Sequence, residues 1–339
     1  MTRSSRMLTL IVAVLAIAAL VLSGCTAPKA DTAKTPATAP TTEAAAPLPI
    51  KIGVLPTEDS LPLWVAEQKG YFGKNGLPSV EIVVFQSAQE RDAAFASGAI
   101  DGFMGDIIAA ANLEAGGSPG TILTIMLGAD QSQGRFGVVV PPKSKVTKLT
   151  ELADVPVGTS SATIQEYVLD KLMAEGGVAD AKVKKEEVKK VPVRFELLMA
   201  GKLKAAALPE PFLSLAEAGG AKVIGDDTKS KSNISQTILF VSDKFLSTPG
   251  GTESADAVLK SWDEAVADVN AAPGTFRTML VEKARLPKPL EKTYKVNTYP
   301  TAQVPAQADV DAVLAWMEGK GYLKKDVTFE NLTLITPAK

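Results

Sequence analysis

The chain contains no histidine and a single cysteine in 339 residues. Without histidine there is no Ser-His-Asp triad, no Cys-His pair and no imidazole metal ligand. One cysteine leaves no intramolecular disulfide to form. Metal chemistry would then rest on carboxylates alone, and no EF-hand-like spacing of Asp and Gly is present. Glycine-rich phosphate loops are missing as well. The stretch GGSPG, residues 116–120, lacks both the lysine and the strand-to-helix context of such a cradle. There is no basic block either: 36 Lys and Arg stand against 38 Asp and Glu, a net charge of −2. That balance argues against a nucleic-acid partner. No catalytic set, metal or cofactor is expected.

Long apolar runs are confined to one place. Arg3 and Arg6 precede an uncharged run from Met7 to Leu22, the layout of a secretory signal. The run is short for a membrane span, which needs about 20 residues. Leu22-Ser23-Gly24-Cys25 resembles the lipobox of bacterial lipoproteins. That resemblance implies cleavage before Cys25 and lipid on its thiol and new N-terminus. A catalytic role for Cys25 does not fit, because no histidine activates it and no foldable segment surrounds it. From Thr26 to Pro49, 19 of 24 residues are Thr, Ala or Pro. Such a segment buries almost nothing and spans roughly 25–30 Å as a coil. The expected order is a signal peptide at 1–24, a lipid-anchored tether at 25–49, and an extracytoplasmic body held at the cell membrane.

The remainder suits about two domains. Residues 48–55 read as a strand, 56–60 as a polar loop and 61–68 as a helix ended by Gly70. Strand 80–85, helix 88–96, strand 99–104, a helix capped by Asp106 and strand 121–127 follow. Alternation of this kind implies a parallel-rich α/β sheet. The pattern then restarts with strands at 137–140 and 155–158. The helix that follows carries Ile164, Val168 and Leu172 on one face, with Thr163 and Glu166 spaced for a capping box. Further strands are expected at 191–195, 203–208, 221–225 and 236–241. FASGAIDGFMGD at 95–106 and LMAGKLKAAALPEP at 198–211 share one layout of helix, glycine, strand and acid. Three helical segments close the chain, at 254–270, 275–284 and 308–318. Trp262 and Trp316 are expected in the core.

In open α/β sheets, ligands bind beyond the carboxyl ends of strands. The candidate residues there are Thr57, Ser60, Leu61, Ser87, Asp106, Asp130, Ser160, Ser161, Thr163 and Glu210. Ser160, Ser161 and Thr163 at a helix start suit an anion, or plain capping. Asp106 and Glu210 favour a cation or a donor-rich ligand, though Asp106 also reads as a simple N-cap. Glu58 and Asp59 read as solvated loop charges. Arg91 reads as a helix-face residue and Arg194 as a strand-edge residue, so neither is expected to clamp an anion.

Three stretches resemble the nitrate/sulfonate/taurine solute-binding proteins of ABC importers and their thiamine-precursor relatives. They are residues 50–77, 94–117 and 198–212. The matching positions are Gly53, Pro62-Leu63, Ala66, Gly70 and Tyr71-Phe72, then Phe95, Gly98, Ile100 and Asp101. Lys204 departs from the pattern, where the family more often has an acid. The resemblance implies a type II periplasmic-binding-protein fold, with two βα lobes, a hinge and a ligand cleft between the lobes. Lobe 1 would comprise 50–135 and 240–339, and lobe 2 would be 136–239. The implied partners are a small polar organic ligand and an ABC permease with its ATPase, served by a monomeric receptor. Two alternatives remain open: an enzyme on the same scaffold, making pyrimidine or menaquinone precursors, and a sensory or structural lipoprotein.

Overall fold

The computed structural model describes residues 45–286 and 290–334. The expected signal peptide, Cys25 and most of the tether lie outside them. Among the described residues no helix is long and apolar enough to cross a membrane.

Ten strands form two sheets. They are β1 (Ile50–Val54), β2 (Val80–Val84), β3 (Gly102–Asp106), β4 (Gly120–Leu127), β5 (Phe136–Val140), β6 (Pro156–Thr159), β7 (Lys184–Glu187), β8 (Ala206–Pro209), β9 (Lys222–Asp226) and β10 (Thr237–Ser242). The first sheet runs β2-β1-β3-β10-β4 and the second β7-β6-β8-β5-β9. In the first, β1 pairs in parallel with β2 and β3, while β10 lies antiparallel between β3 and β4. The second repeats this, with β6 parallel to β7 and β8, and β5 antiparallel between β8 and β9. In each sheet the antiparallel strand directly follows a crossing from the other sheet. The shared layout noticed in the sequence thus extends to strand order. The chain returns to the first sheet with Thr237.

The equivalence reaches single side chains. Arg91 is the fourth residue of helix Ala88–Ala96, and Arg194 is the fourth of helix Val191–Met199. Both are buried against their sheets, each beside a strand glycine. A Cβ on Gly53 would sit 3.3 Å from Arg91 Cγ, and one on Gly158 would sit 3.5 Å from Arg194 Cδ. Arg91 stands on a helix face as expected, but a buried one, whereas Arg194 lies within a helix and not at a strand edge.

Three segments fold differently from expectation. Residues 191–195 open a helix instead of forming a strand, because Pro192 sits in its first turn and Val191, Arg194 and Leu198 bury one helical face. The missing strand is β7, Lys-Lys-Glu-Glu, at the sheet edge. Its charges disguise it as a loop and also block edge-to-edge association. Thr163 and Glu166 form no capping box. Thr163 Oγ1 donates to Ser160 O (2.7 Å), and Glu166 accepts instead from Ala162 N–H (2.6 Å). At the tether end, Leu48 is pinned: its N–H donates to Ser254 Oγ (2.6 Å) and its carbonyl accepts from the same hydroxyl.

The core of the first lobe includes Phe95, Phe103 and Phe240, with ring centroids 5.0–5.5 Å apart. Helix Gly251–Ala271 buries Val258, Trp262, Val266 and Val269 against helix Leu61–Lys69. Trp262 Nε1 donates to Pro300 O (3.1 Å). Helix Gln307–Lys320 packs on helix Ile107–Ala115 of the first lobe. Its Trp316 is only half-buried and is no core residue. It reaches the second lobe, where Nε1 donates to Asp170 Oδ2 (3.1 Å) and the ring stands edge-on to Tyr167.

Candidate functional site

The strand directions bring one edge of each sheet together. From the first lobe come Leu55 to Asp59 after β1, Met104 to Asp106 ending β3, Leu127 ending β4, and Thr237 starting the antiparallel β10. From the second come Arg135 and Phe136 starting the antiparallel β5, Ile164 and Gln165 after β6, and Pro209 and Glu210 after β8. These residues enclose a cavity of about 30 Å³. Ligands of open α/β sheets bind at such strand ends. Space of this size holds only about two waters, so an organic molecule enters only if the lobes separate.

Direct bonds join the lobes around the cavity. Asp106 accepts from Ala109 N–H (2.8 Å), capping its own helix, and from Ile164 N–H (3.3 Å) of the opposite lobe. One carboxylate therefore caps two helices across the cleft. Gln89 Nε2 donates to Ser160 Oγ (2.8 Å), and Lys190 pairs with Glu90 (3.0 Å). Each of these contacts must break for the cleft to open.

The carboxylates are buried and strained electrostatically. Glu58 is 1 % exposed, and burial is the main cause that pushes its pKa up to about 8. Tyr294 hydroxyl and Asn297 N–H (2.7 Å) donate to it. Its own carbonyl accepts from Tyr299 hydroxyl (2.8 Å). Asp59 accepts from Thr57 Oγ1 (2.6 Å). Burial raises the pKa of Asp59, Asp106 and Glu210, with Arg91 opposing it at the two aspartates. Glu58 and Asp59 are thus not solvated loop charges: they start a 3-10 turn, Glu58–Ser60, that the C-terminal segment covers.

Two arginines line the same cavity. Arg91 donates through NH1 to Met104 O (2.8 Å) and through Nε and NH2 to Asp92 (3.0 and 2.6 Å). Its guanidinium lies over the Phe103 ring at 4.5 Å. Gly105 makes this possible, since a Cβ there would meet the Phe103 ring at 2.5 Å and Arg91 Cζ at 3.0 Å. Arg135 forks onto Glu217 (2.8 and 3.2 Å) and also touches Glu210 (3.3 Å) and Asp226 (3.6 Å). Glu210 is held further by Ser214, through N–H (3.0 Å) and Oγ (2.9 Å).

Of the residues singled out from sequence, Thr57, Asp106 and Glu210 line the cavity. The others stand beside it or apart from it. Ser60 Oγ donates to Leu55 O (2.9 Å), and Leu61 is in the core. Ser87 caps helix Ala88–Ala96. Asp130 is exposed on the crossing between lobes and holds Ser132. Ser160 bonds Gln89. Ser161 is exposed and donates twice to Glu187 (2.9 and 2.6 Å). Thr163 spends its hydroxyl on Ser160 O. The helix start that suited an anion receives Asp106 instead, which satisfies the same N–H donor and the same end of the helix dipole. Arg91, Asp59, Gln165 and Thr237 were missed as cavity residues. Glycines inside strands, at 53 and 105, were the available sign that a large side chain passes there.

Comparison with known proteins agrees with this architecture. The model of the NMT1-like family matches residues 43–279. A search of curated proteins found no significant match. Among solved structures, the alkanesulfonate-binding protein SsuA of Xanthomonas axonopodis pv. citri, bound to MOPS, superposes with a TM-score of 0.70 at 17% identity, covering 84% of this chain and 97% of that one. A ligand-binding component of an ABC-type import system from Staphylococcus aureus, with zinc bound, gives 0.68 at 17% identity, covering 86% and 97%. The nitrate-binding protein NrtA of Synechocystis PCC 6803 gives 0.67 at 16% identity, covering 84% of each chain. These likenesses establish the periplasmic-binding-protein fold, and the match over residues 43–279 shows that the chain belongs to the NMT1-like family.

Proposed function

We propose that the chain is an extracytoplasmic solute receptor that closes on a small polar organic molecule and delivers it to an ABC importer. One observation carries this: two sheet edges meet at a buried polar cavity, where side-chain and backbone hydrogen bonds join them across the cleft. The cavity is too small for an organic ligand in this closed form, so capture requires opening and closing. The similar folds of a sulfonate-binding protein, a nitrate-binding protein and an import component support the same use. The chain has no histidine for the usual hydrolytic sets, which favours a binding protein over an enzyme.

Distance measurement tests the clamp. Spin labels at Glu90→Cys and Lys190→Cys, in a Cys25→Ser background, should show a long separation in the free protein. Addition of a metabolite extract should populate a shorter one. A single distance indifferent to every extract would refute the receptor.

We further propose that lipid on Cys25 holds the receptor at the membrane beside its permease. Stable attachment needs more than one acyl chain, which lipoprotein processing supplies. Cys25→Ser should move the protein from the membrane pellet to the soluble fraction with its ligand affinity intact. Persistence of the variant in the pellet would overturn the anchor.

A further inference from the structure

We infer that the cleft selects a small organic cation, one that carries N–H donors on an apolar body. This rests on the receptor function proposed above and adds the charge class of its ligand. The argument is an inventory of what the cavity leaves for a guest. Its two cationic side chains are already matched by carboxylates of the protein. Arg91 is held by Asp92 and a carbonyl, and Arg135 is forked by Glu217 and flanked by Asp226. No lysine lines the cavity. The N–H group of Ile164, the anion-attracting helix start nearest the site, is taken by Asp106. The donors that would hold a sulfonate or nitrate are therefore committed elsewhere.

The acceptors are in surplus. Asp59, Asp106 and Glu210 line one small space with Arg91 and Arg135, while Glu58 beside them keeps its proton below about pH 8 and already accepts from Tyr294 and Asn297. Beyond these, one buried acceptor in its wall has no hydrogen-bond partner: Gln165 Oε1, on a residue 8 % exposed. Unmatched buried polar atoms are uncommon and costly in folded proteins. A donor-rich guest would satisfy this one. The remaining walls are apolar, from Leu55, Met104, Leu127, Phe136, Ile164 and Pro209. A cation with a flat or compact apolar body matches that mixture, since a buried charge is tolerated only when paired and hydrogen-bonded.

The test uses the full chain in detergent and three probes of like shape: benzamidinium, benzoate and benzenesulfonate. Calorimetric titration at low salt should show benzamidinium binding at least tenfold more tightly than either anion. Asp59→Asn and Glu210→Gln should each weaken it at least tenfold, with circular dichroism confirming that both variants are folded. Equal or tighter binding of an anion would overturn the charge class, and so would binding of none of the three. Capture from yeast extract, read by mass spectrometry, separates that failure from failure of the receptor itself. A retained anion leaves the receptor standing without the cation, whereas retention of no compound removes both.

Discussion

Replacing Glu58 with glutamine should raise stability at pH 8 by about 4 kcal/mol and flatten its pH dependence. Burial lifts the folded-state pKa of Glu58 from 4.5 to about 8. Below pH 4.5 the folded and unfolded chains both hold the proton, and the carboxyl costs nothing. Between pH 4.5 and 8 the unfolded chain releases it while the folded chain keeps it, so stability falls as pH rises. Above 8 both are ionised and the loss is complete. Glutamine imitates the protonated acid at every pH. Its carbonyl can accept from Asn297 N–H, and its amide can face the Tyr294 oxygen, the two partners Glu58 has now. Urea unfolding of both proteins from pH 4 to 9 reads the effect directly. Curves that run parallel across that range would show that Glu58 is ionised throughout.

Replacing Arg91 with methionine should cost about 3–5 kcal/mol at pH 8, the usual result of breaking a buried ion pair from one side. The volume lost is small, so the penalty is electrostatic. Arg91 is the charge that opposes the burial-driven rise of the Asp59 and Asp106 pKa values, and it is the partner of Asp92. Without it these carboxylates of the first lobe lose their common cation. Because the pKa of Asp59 and Asp106 is already raised, and rises further in the variant, acid neutralises them early. The loss at pH 5 should be clearly smaller than at pH 8. A deficit independent of pH would mean that Arg91 matters only for packing.

Much of this fold is readable from local pattern. Ser87 and Gly98 bracket helix Ala88–Ala96, and Asp106 marks a cap that the structure forms. The failures have physical causes. Val191 to Phe195 alternates like a strand, but a proline in the first turn and a buried face at helical spacing settle it as helix. Strand β7 is spelled Lys-Lys-Glu-Glu, because only hydrogen bonding to β6 makes it a strand. At the site, strand-end logic reaches Thr57, Asp106 and Glu210. It does not reach Arg91, which stands in a polar helix between Glu90 and Asp92 and turns inward only because Gly53 and Gly105 leave room. Nor does it reveal Glu58 as buried, since the residues that cover it lie more than 200 positions away, at Tyr294, Asn297 and Tyr299.

Helix Gln307–Lys320, packed on the first lobe, also grips the second. Besides Trp316, Lys320 pairs with Asp170 (3.0 Å), and Tyr322 just beyond the helix meets Glu166 (2.8 Å). Lys185 completes the cluster against the same two acids. Asp309 and Val313 of the helix stand with Asn233 to Gln236 of the crossing around one small hollow. The lobes are thus hung on three pins instead of two. The third attachment is made of side-chain contacts alone, so it adds to the bonds that hold the closed form. Opening the cleft therefore means releasing the Trp316, Lys320 and Tyr322 contacts as well as those at the sheet edges.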